Sequence, residues 1–153
     1  MTLCRRVDTS AIASPLIGKP APAMFHVAAG LLGATPATTL VIGDRLDTDI
    51  EGARRAGAAS LLVLSGVATP ADLLAAGPLH RPDLLAHDTR GILVPHPAVA
   101  AVEGAWRCGP WEAEARGELV LRSLGAGDED SDGLDGLRAL AVAQWSRQPD
   151  GGA

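Results

Sequence analysis

Residues 40–49 read LVIGDRLDTD and join a short apolar run to three carboxylates within six residues. The run is part of TLVIG, residues 39–43, whose β-branched side chains and final glycine are typical of a buried strand. Like charges this close repel one another unless a cation balances them. The stretch therefore predicts a strand whose carboxyl end carries an acidic cluster, formed by Asp44, Asp47 and Asp49.

The residues around this stretch alternate between helical and strand patterns. Apolar side chains recur at helical spacing in residues 24–32, and residues 49–56 predict a second helix. SLLVL at 60–64 is a second strand of the buried type, and Thr69-Pro70 opens a third helix. Residues 88–93 carry only a weak pattern. Because helices separate the apolar strands, the sequence predicts an α/β fold with parallel strands.

A different pattern follows the sequence PHP at 95–97, which marks a boundary. Residues 106–123 form two alternating runs on either side of Arg116-Gly117, as a β-hairpin does. Apolar residues then recur along one helical face, at Leu134, Leu137, Leu140, Ala141 and Trp145. Residues 98–153 are thus predicted to form a small, separate α+β unit, with a core built on Trp106, Trp111 and Trp145.

The composition argues against several classes of protein. The chain has 153 residues, a net charge of −5 and a hydrophobic fraction of 47%, which indicates a globular protein. A negative net charge argues against nucleic acid or an anionic membrane as the main partner. Cys4 and Cys108 form no C-x-x-C pair, and no apolar run has the length of a signal peptide or a membrane helix. We therefore expect a soluble, cytoplasmic chain with reduced thiols.

Lys19 is the only lysine among the 13 basic residues of the chain. A compact ammonium group can balance a phosphate oxygen and a carboxylate together, whereas the broad guanidinium fork of arginine fits differently. Asp44 follows the strand at 39–43, where the functional loops of parallel sheets lie, and carboxylates so placed commonly bind Mg²⁺. Two other interpretations stay open at this point. The acids could favour a helix start through the helix dipole, and Lys19 could be an ordinary surface residue.

Three segments together carry a family resemblance: IGKPAPAMF at 17–25, VIGDRLDTDIEGARRAG at 41–57 and LLVLSGVAT at 61–69. In this order they resemble the haloacid dehalogenase superfamily, specifically its phosphatases of the para-nitrophenyl phosphatase and phosphoglycolate phosphatase type. The resemblance implies a partial Rossmann-like parallel sheet, in which residues 16–93 are the C-terminal half of the core. Residues 1–15 are expected to form an irregular segment before it.

The resemblance also implies roles for individual residues. Lys19 would be the catalytic lysine that stabilises the nucleophile and the phosphoryl group, and Asp44 would be a Mg²⁺ ligand. Asp49 would be the second acid of the metal site, supporting either the metal shell or the lysine. The implied activity is Mg²⁺-dependent hydrolysis of a small phosphorylated metabolite through an aspartyl-phosphate intermediate. A C-terminal unit of this kind occurs in members that resemble glycerol 3-phosphate phosphatases, which indicates that substrate.

The nucleophile motif of the family, an apolar strand ending in D-x-D-G, has no match before Lys19. DEDSDG at 128–133 contains these letters but follows GAG instead of a strand, and Ala139 stands where a calcium loop needs glutamate. We interpret this segment as an acidic loop that caps the last helix. The chain is therefore expected to carry only the lysine and metal motifs. Two alternatives remain: half of a split phosphatase, completed by a partner chain or by self-association, or a non-catalytic truncated remnant.

Overall fold

The computed structural model describes residues 18–125 and 132–148, and the structural statements below concern those residues. Within them a parallel sheet with three helices precedes an antiparallel sheet with one helix, which confirms the predicted α/β fold and its α+β appendage. The segment at 1–15 and residues 128–131 of the acidic loop lie outside this part. No helix in it is long and apolar enough to cross a membrane. The elements, in chain order, are α1 (Pro22–Leu31), β1 (Leu40–Gly43), α2 (Glu51–Ala56), β2 (Ala59–Val63), α3 (Pro70–Leu74), β3 (Leu84–Ala86), β4 (Ala100–Val102), β5 (Ala105–Cys108), β6 (Trp111–Glu114), β7 (Val120–Ser123) and α4 (Asp135–Ser146).

The parallel sheet has the strand order β1-β2-β3, so β2 is its central strand. Leu61 and Leu62 of β2 are fully buried, as a strand covered on both faces requires. β1 is an edge strand of the described sheet, and its Leu40 and Ile42 stay 38% and 36% exposed. β3 was not predicted from the sequence, because Leu84–Ala86 is too short to show a period of its own. Pairing with β2 creates that strand.

The helices of the first half begin and end at residues that suit those positions. Pro22 is the first residue of α1, where a missing N–H costs nothing. Thr69 caps α3 by accepting a hydrogen bond from the backbone N–H of Asp72 at 3.2 Å. α2 follows directly on a π-helical turn, Leu46–Ile50, and stops at Gly57, whose φ of 73° is easily adopted by glycine. The π-helical turn matters for the site because it contains Asp49.

The antiparallel sheet has the order β4-β5-β6-β7, with consecutive strands joined by hairpins. The predicted hairpin around Arg116-Gly117 joins β6 to β7, and Gly117 takes a positive φ of 87° in its turn. Two further hairpins, β4-β5 and β5-β6, extend the sheet beyond the prediction. Cys108 and Ala113 face α4 and form a compact second core with Ala139 and Ala143.

Helix α4 packs against both sheets. Its Ala139 and Ala143 lie in the second core, whereas Ala141 joins the core of the parallel sheet, formed with Ile50, Leu62, Leu73 and Leu85. The indole Nε1 of Trp145 donates to the carbonyl oxygen of Leu73 at 3.0 Å. The expectation that Trp145 belongs to the core of a separate second unit is therefore wrong. One helix supplies side chains to two cores, and its apolar face alone does not reveal which residues meet which sheet.

Candidate functional site

The carboxylate of Asp49 lies directly against the backbone at the end of β1. A Cβ atom built on Gly43 would stand 2.3 Å from the Cβ of Asp49, so only glycine permits this approach. Asp49 is 3% exposed, and its Oδ2 accepts a hydrogen bond from the backbone N–H of Arg45 at 3.2 Å. The π-helical turn thus folds the acid back over the strand it follows.

Lys19 reaches the same strand end from the loop before α1. Its Nζ lies 2.5 Å from Oδ1 of Asp49, and its side chain remains 47% exposed. The packing of α1 on α2 brings this loop there, because the Phe25 ring fills the space where a side chain on Gly52 would lie. Asp49 therefore holds a half-exposed ammonium group at the carboxyl end of β1.

Asp44 is held by the loop that follows β2. Its Oδ2 accepts a hydrogen bond from the N–H of Val67 at 2.9 Å, and its carbonyl oxygen accepts one from the N–H of Ala68 at 2.9 Å. A Cβ atom on Gly66 would stand 2.0 Å from Oδ2 of Asp44, so this position also requires glycine. Gly66 and Val67 lie in the segment LLVLSGVAT at 61–69, and the sequence alone predicted no role for either residue. The position of Gly66 just beyond the end of β2 was the feature of the sequence that could have indicated a role at the site.

Asp47 is paired with Arg45 on the surface. Arg45 Nη2 lies 2.7 Å from Asp47 Oδ2, and the hydrogen bond from Arg45 holds the pKa of Asp47 below its ordinary value. Lys19 and Arg45 are thus the two cations that stand among the three carboxylates. Lys19 pairs with Asp49 and Arg45 with Asp47, whereas the carboxylate of Asp44 accepts a hydrogen bond from the backbone N–H of Val67.

Glu51, in the first turn of α2, links the site to a neighbouring cavity. Its two carboxylate oxygens accept hydrogen bonds from Arg55 Nε at 2.7 Å and pair with His80 Nε2 at 2.8 Å. The hydrogen bond with His80 and then that with Arg55 lower the pKa of Glu51. The cavity measures about 310 Å³ and lies between α2 and the loop that carries Lys19. No role was predicted for His80 from the sequence, since none of the four histidines has metal-ligand spacing.

Oxygen donors for Mg²⁺ are present but few. Asp44 and Asp49 provide the hard carboxylate oxygens that Mg²⁺ prefers. The described ranges contain no group of three or more histidine, cysteine or acidic side chains that could hold a metal ion. Both oxygens of Asp49 and one oxygen of Asp44 already accept hydrogen bonds. The donor set fits part of a Mg²⁺ shell, and the assignment of these two residues as ligands stays a prediction.

Comparison with protein families identifies the first half of the chain. A family model described as HAD-hydrolase-like, where HAD denotes haloacid dehalogenase, matches residues 16–92. The chain belongs to the HAD-like hydrolase family. A second model, of a GCN5-related N-acetyltransferase like domain, matches residues 108–153 of the chain. That range includes β6, β7 and α4, to which the sequence analysis assigned no family.

Individual relatives of the chain include several phosphatases. The D-glycerol 3-phosphate phosphatase of Mycobacterium tuberculosis is 40% identical over 134 residues, which cover 84% of this chain and 36% of the relative. The glycerol-3-phosphate phosphatase of Gallus gallus is 43% identical over 68 residues, or 44% of this chain and 22% of the relative. The chain therefore spans about a third or less of these relatives.

A solved structure shows the same arrangement. The crystal structure of glycerol phosphate phosphatase from Mycobacterium tuberculosis in complex with magnesium superposes with a TM-score of 0.69 at 38% identity. The match covers 86% of this chain and 37% of that one. Because the match extends over most of the chain, it covers more than the parallel sheet alone.

Proposed function

We propose that this chain is the part of a Mg²⁺-dependent phosphomonoesterase that supplies the catalytic lysine and part of the metal site. One observation carries the proposal: the chain brings Lys19 back to Asp49 at the strand end that Asp44 follows. Lys19 would bind an oxygen of the phosphoryl group, and Asp49 would hold its ammonium group in place. Asp44 would hold Mg²⁺ with the support of Asp49, and the metal would neutralise phosphate charge.

In this proposal, residues other than Lys19, Asp44 and Asp49 supply the nucleophile. No apolar strand followed by D-x-D-G precedes Lys19 in the sequence. The exposed apolar side chains on β1 favour a partner strand at that edge, either from a longer protein or from a separate polypeptide. In the completed enzyme an aspartate would attack phosphorus, and water would then hydrolyse the aspartyl phosphate. A non-catalytic truncated remnant is the alternative, and it would never turn over substrate in any assembly.

The relatives suggest the substrate. Two of them are named for the hydrolysis of glycerol 3-phosphate, so we propose a small phosphate monoester of that kind, hydrolysed in the cytoplasm. The ester carries two negative charges near pH 7, which suits the half-exposed ammonium of Lys19.

A chimera tests the proposal. The segment of the M. tuberculosis relative that precedes its match is fused in front of Gly18, and glycerol 3-phosphate hydrolysis is measured with Mg²⁺. We expect turnover by the chimera and none by the 153-residue chain alone. Lys19→Ala and Asp44→Asn should each abolish it, whereas Asp47→Asn, on the exposed pair with Arg45, should retain it.

Two results would count against the proposal. A folded chimera without turnover would favour the non-catalytic remnant. Turnover that survives both Lys19→Ala and Asp44→Asn would show that the phosphoryl group is handled elsewhere. Circular dichroism of every variant checks that the fold is retained.

A further inference from the structure

A cavity of about 360 Å³ lies at the seam between the parallel sheet and α4. Its walls come from both halves of the chain, so that Leu73 and Leu85 of the first core face Ala141 and Trp145 of α4. Val99, which packs with the second core, closes the other side. The size is within the range of small-molecule sites, which measure roughly 300–1,000 Å³.

The charged side chains of the lining already have partners. The guanidinium of Arg138 lies 2.6 Å from Asp132 and 3.0 Å from Asp135. Asp83 Oδ2 accepts hydrogen bonds from the backbone N–H and the hydroxyl of Ser60, each at 2.8 Å. The cavity therefore offers no uncompensated cation to an anionic ligand, and an uncharged molecule fits its mainly apolar walls.

His96 is the exception in the lining. Its Nε2 lies 2.9 Å from the carbonyl oxygen of Gly91, which can only accept, so this contact selects the tautomer that carries its proton on Nε2. Nδ1 is then an acceptor, and it is the one buried side-chain nitrogen or oxygen without a hydrogen-bond partner in residues 18–125 and 132–148. Such an unsatisfied atom costs free energy and calls for an explanation.

We propose that this cavity binds a small uncharged molecule with an apolar, ring-sized body and one hydroxyl group that donates to Nδ1 of His96. His96 is part of the cavity lining and belongs to an irregular loop in which Val94, Pro95 and Pro97 are exposed. The ligand would touch β3 and α4 together. The site is separate from Lys19 and Asp44, and it does not depend on the proposed phosphatase activity.

Phenol and toluene are a matched pair of probes, because they differ in one hydroxyl group. Methyl NMR of the 153-residue chain follows Leu85, Val99 and Val142 during titration with each. We expect saturable shifts of these methyl groups and tighter binding of phenol, by roughly five- to tenfold for one hydrogen bond. Benzoate, which has a similar ring but a negative charge, should bind more weakly than either.

Three variants separate the cavity from other surfaces. His96→Phe should bring phenol down to the affinity of toluene, whereas His26→Phe, on an exposed residue of α1, should leave the preference unchanged. Ala98→Trp should block both probes at the rim without altering a buried residue. Equal affinities of phenol and toluene for the unmodified chain would overturn the proposal, and so would methyl shifts that persist in Ala98→Trp.

Discussion

The ammonium group of Lys19 lies 2.5 Å from Oδ1 of Asp49, although thirty residues separate them in sequence. The acid is buried and the lysine is half-exposed, so the pair presents its positive side to solvent. An acid in this position orients the lysine and leaves the ammonium able to bind an anion. The contact depends on two glycines: Gly43 under the acid and Gly52 under the Phe25 ring.

Lys19 and Asp49 should be energetically coupled. We expect a double-mutant cycle of Lys19→Ala and Asp49→Asn, measured by urea unfolding, to give a coupling free energy of about 1 kcal/mol. This value is the upper end of the range for ion pairs that water still reaches. The matched control is the cycle of Arg45→Ala and Asp47→Asn, a pair that is exposed on both sides. A coupling no larger than that of the control would show that Asp49 does not hold the lysine.

Mg²⁺ should bind this chain weakly. Asp44 and Asp49 supply too few oxygens to hold Mg²⁺ firmly, so calorimetry should give a dissociation constant in the millimolar range. A micromolar dissociation constant would contradict this prediction. Gly66→Ala should abolish the binding, because a methyl group there overlaps Oδ2 of Asp44. Gly77→Ala is the control, since the space beside Gly77 is open.

The chain should self-associate through β1. Leu40 and Ile42 are exposed on this edge strand, and unpaired strand edges recruit other chains. Sedimentation should show oligomers of the 153-residue chain, which Ile42→Lys shifts toward monomer. Val120→Lys on β7, the other edge with an exposed apolar residue, should change the distribution less, because Arg122 already charges that strand. A monodisperse monomer with a sharp thermal transition would refute this prediction.

The sequence was sufficient for the features that depend on local pattern. TLVIG and SLLVL are continuous apolar runs, and both form parallel strands. The predicted hairpin at Arg116-Gly117 forms in the antiparallel sheet. β3 was not predicted because three residues show no period and become a strand only beside β2. The Lys19–Asp49 contact also needed the tertiary structure, since the packing of α1 on α2 creates it.

Removing Arg138 should destabilise the chain strongly. Its side chain is 6% exposed and binds Asp132, Asp135 and the carbonyl oxygen of Leu85 at 2.7 Å. Arg138→Met leaves these acids and the carbonyl without their cation, which typically costs about 3–5 kcal/mol in unfolding free energy. Arg107→Met, which breaks a half-exposed pair with Glu112, should cost less than about 1 kcal/mol. If Arg138→Met and Arg107→Met lost the same free energy of unfolding in urea, a special role for Arg138 would be disproved.

The thiol of Cys108 should be unreactive in the folded chain. Burial and then the nearby carboxylate of Asp135 raise the pKa of Cys108 from 9.0 to about 11. Since only the thiolate reacts, its population at pH 8 falls about 100-fold and the reaction with an aromatic disulfide reagent slows at least as much. The measurement uses a Cys4→Ser background, and denaturant should restore the rate of a free thiol. Rapid labelling under native conditions would contradict the burial of Cys108.

The shared helix has a consequence for the order in which the protein is made. Trp145 and Arg138 donate hydrogen bonds to the carbonyl oxygens of Leu73 in α3 and Leu85 in β3, which precede them by 72 and 53 positions. A ribosome adding roughly 5–20 residues per second would release β2 and β3 several seconds before α4. During that interval the apolar side chains of Leu62, Leu73 and Leu85 lack one wall of their core. We expect the nascent chain to be open to chaperones and proteases during that interval, until translation of α4 covers these side chains.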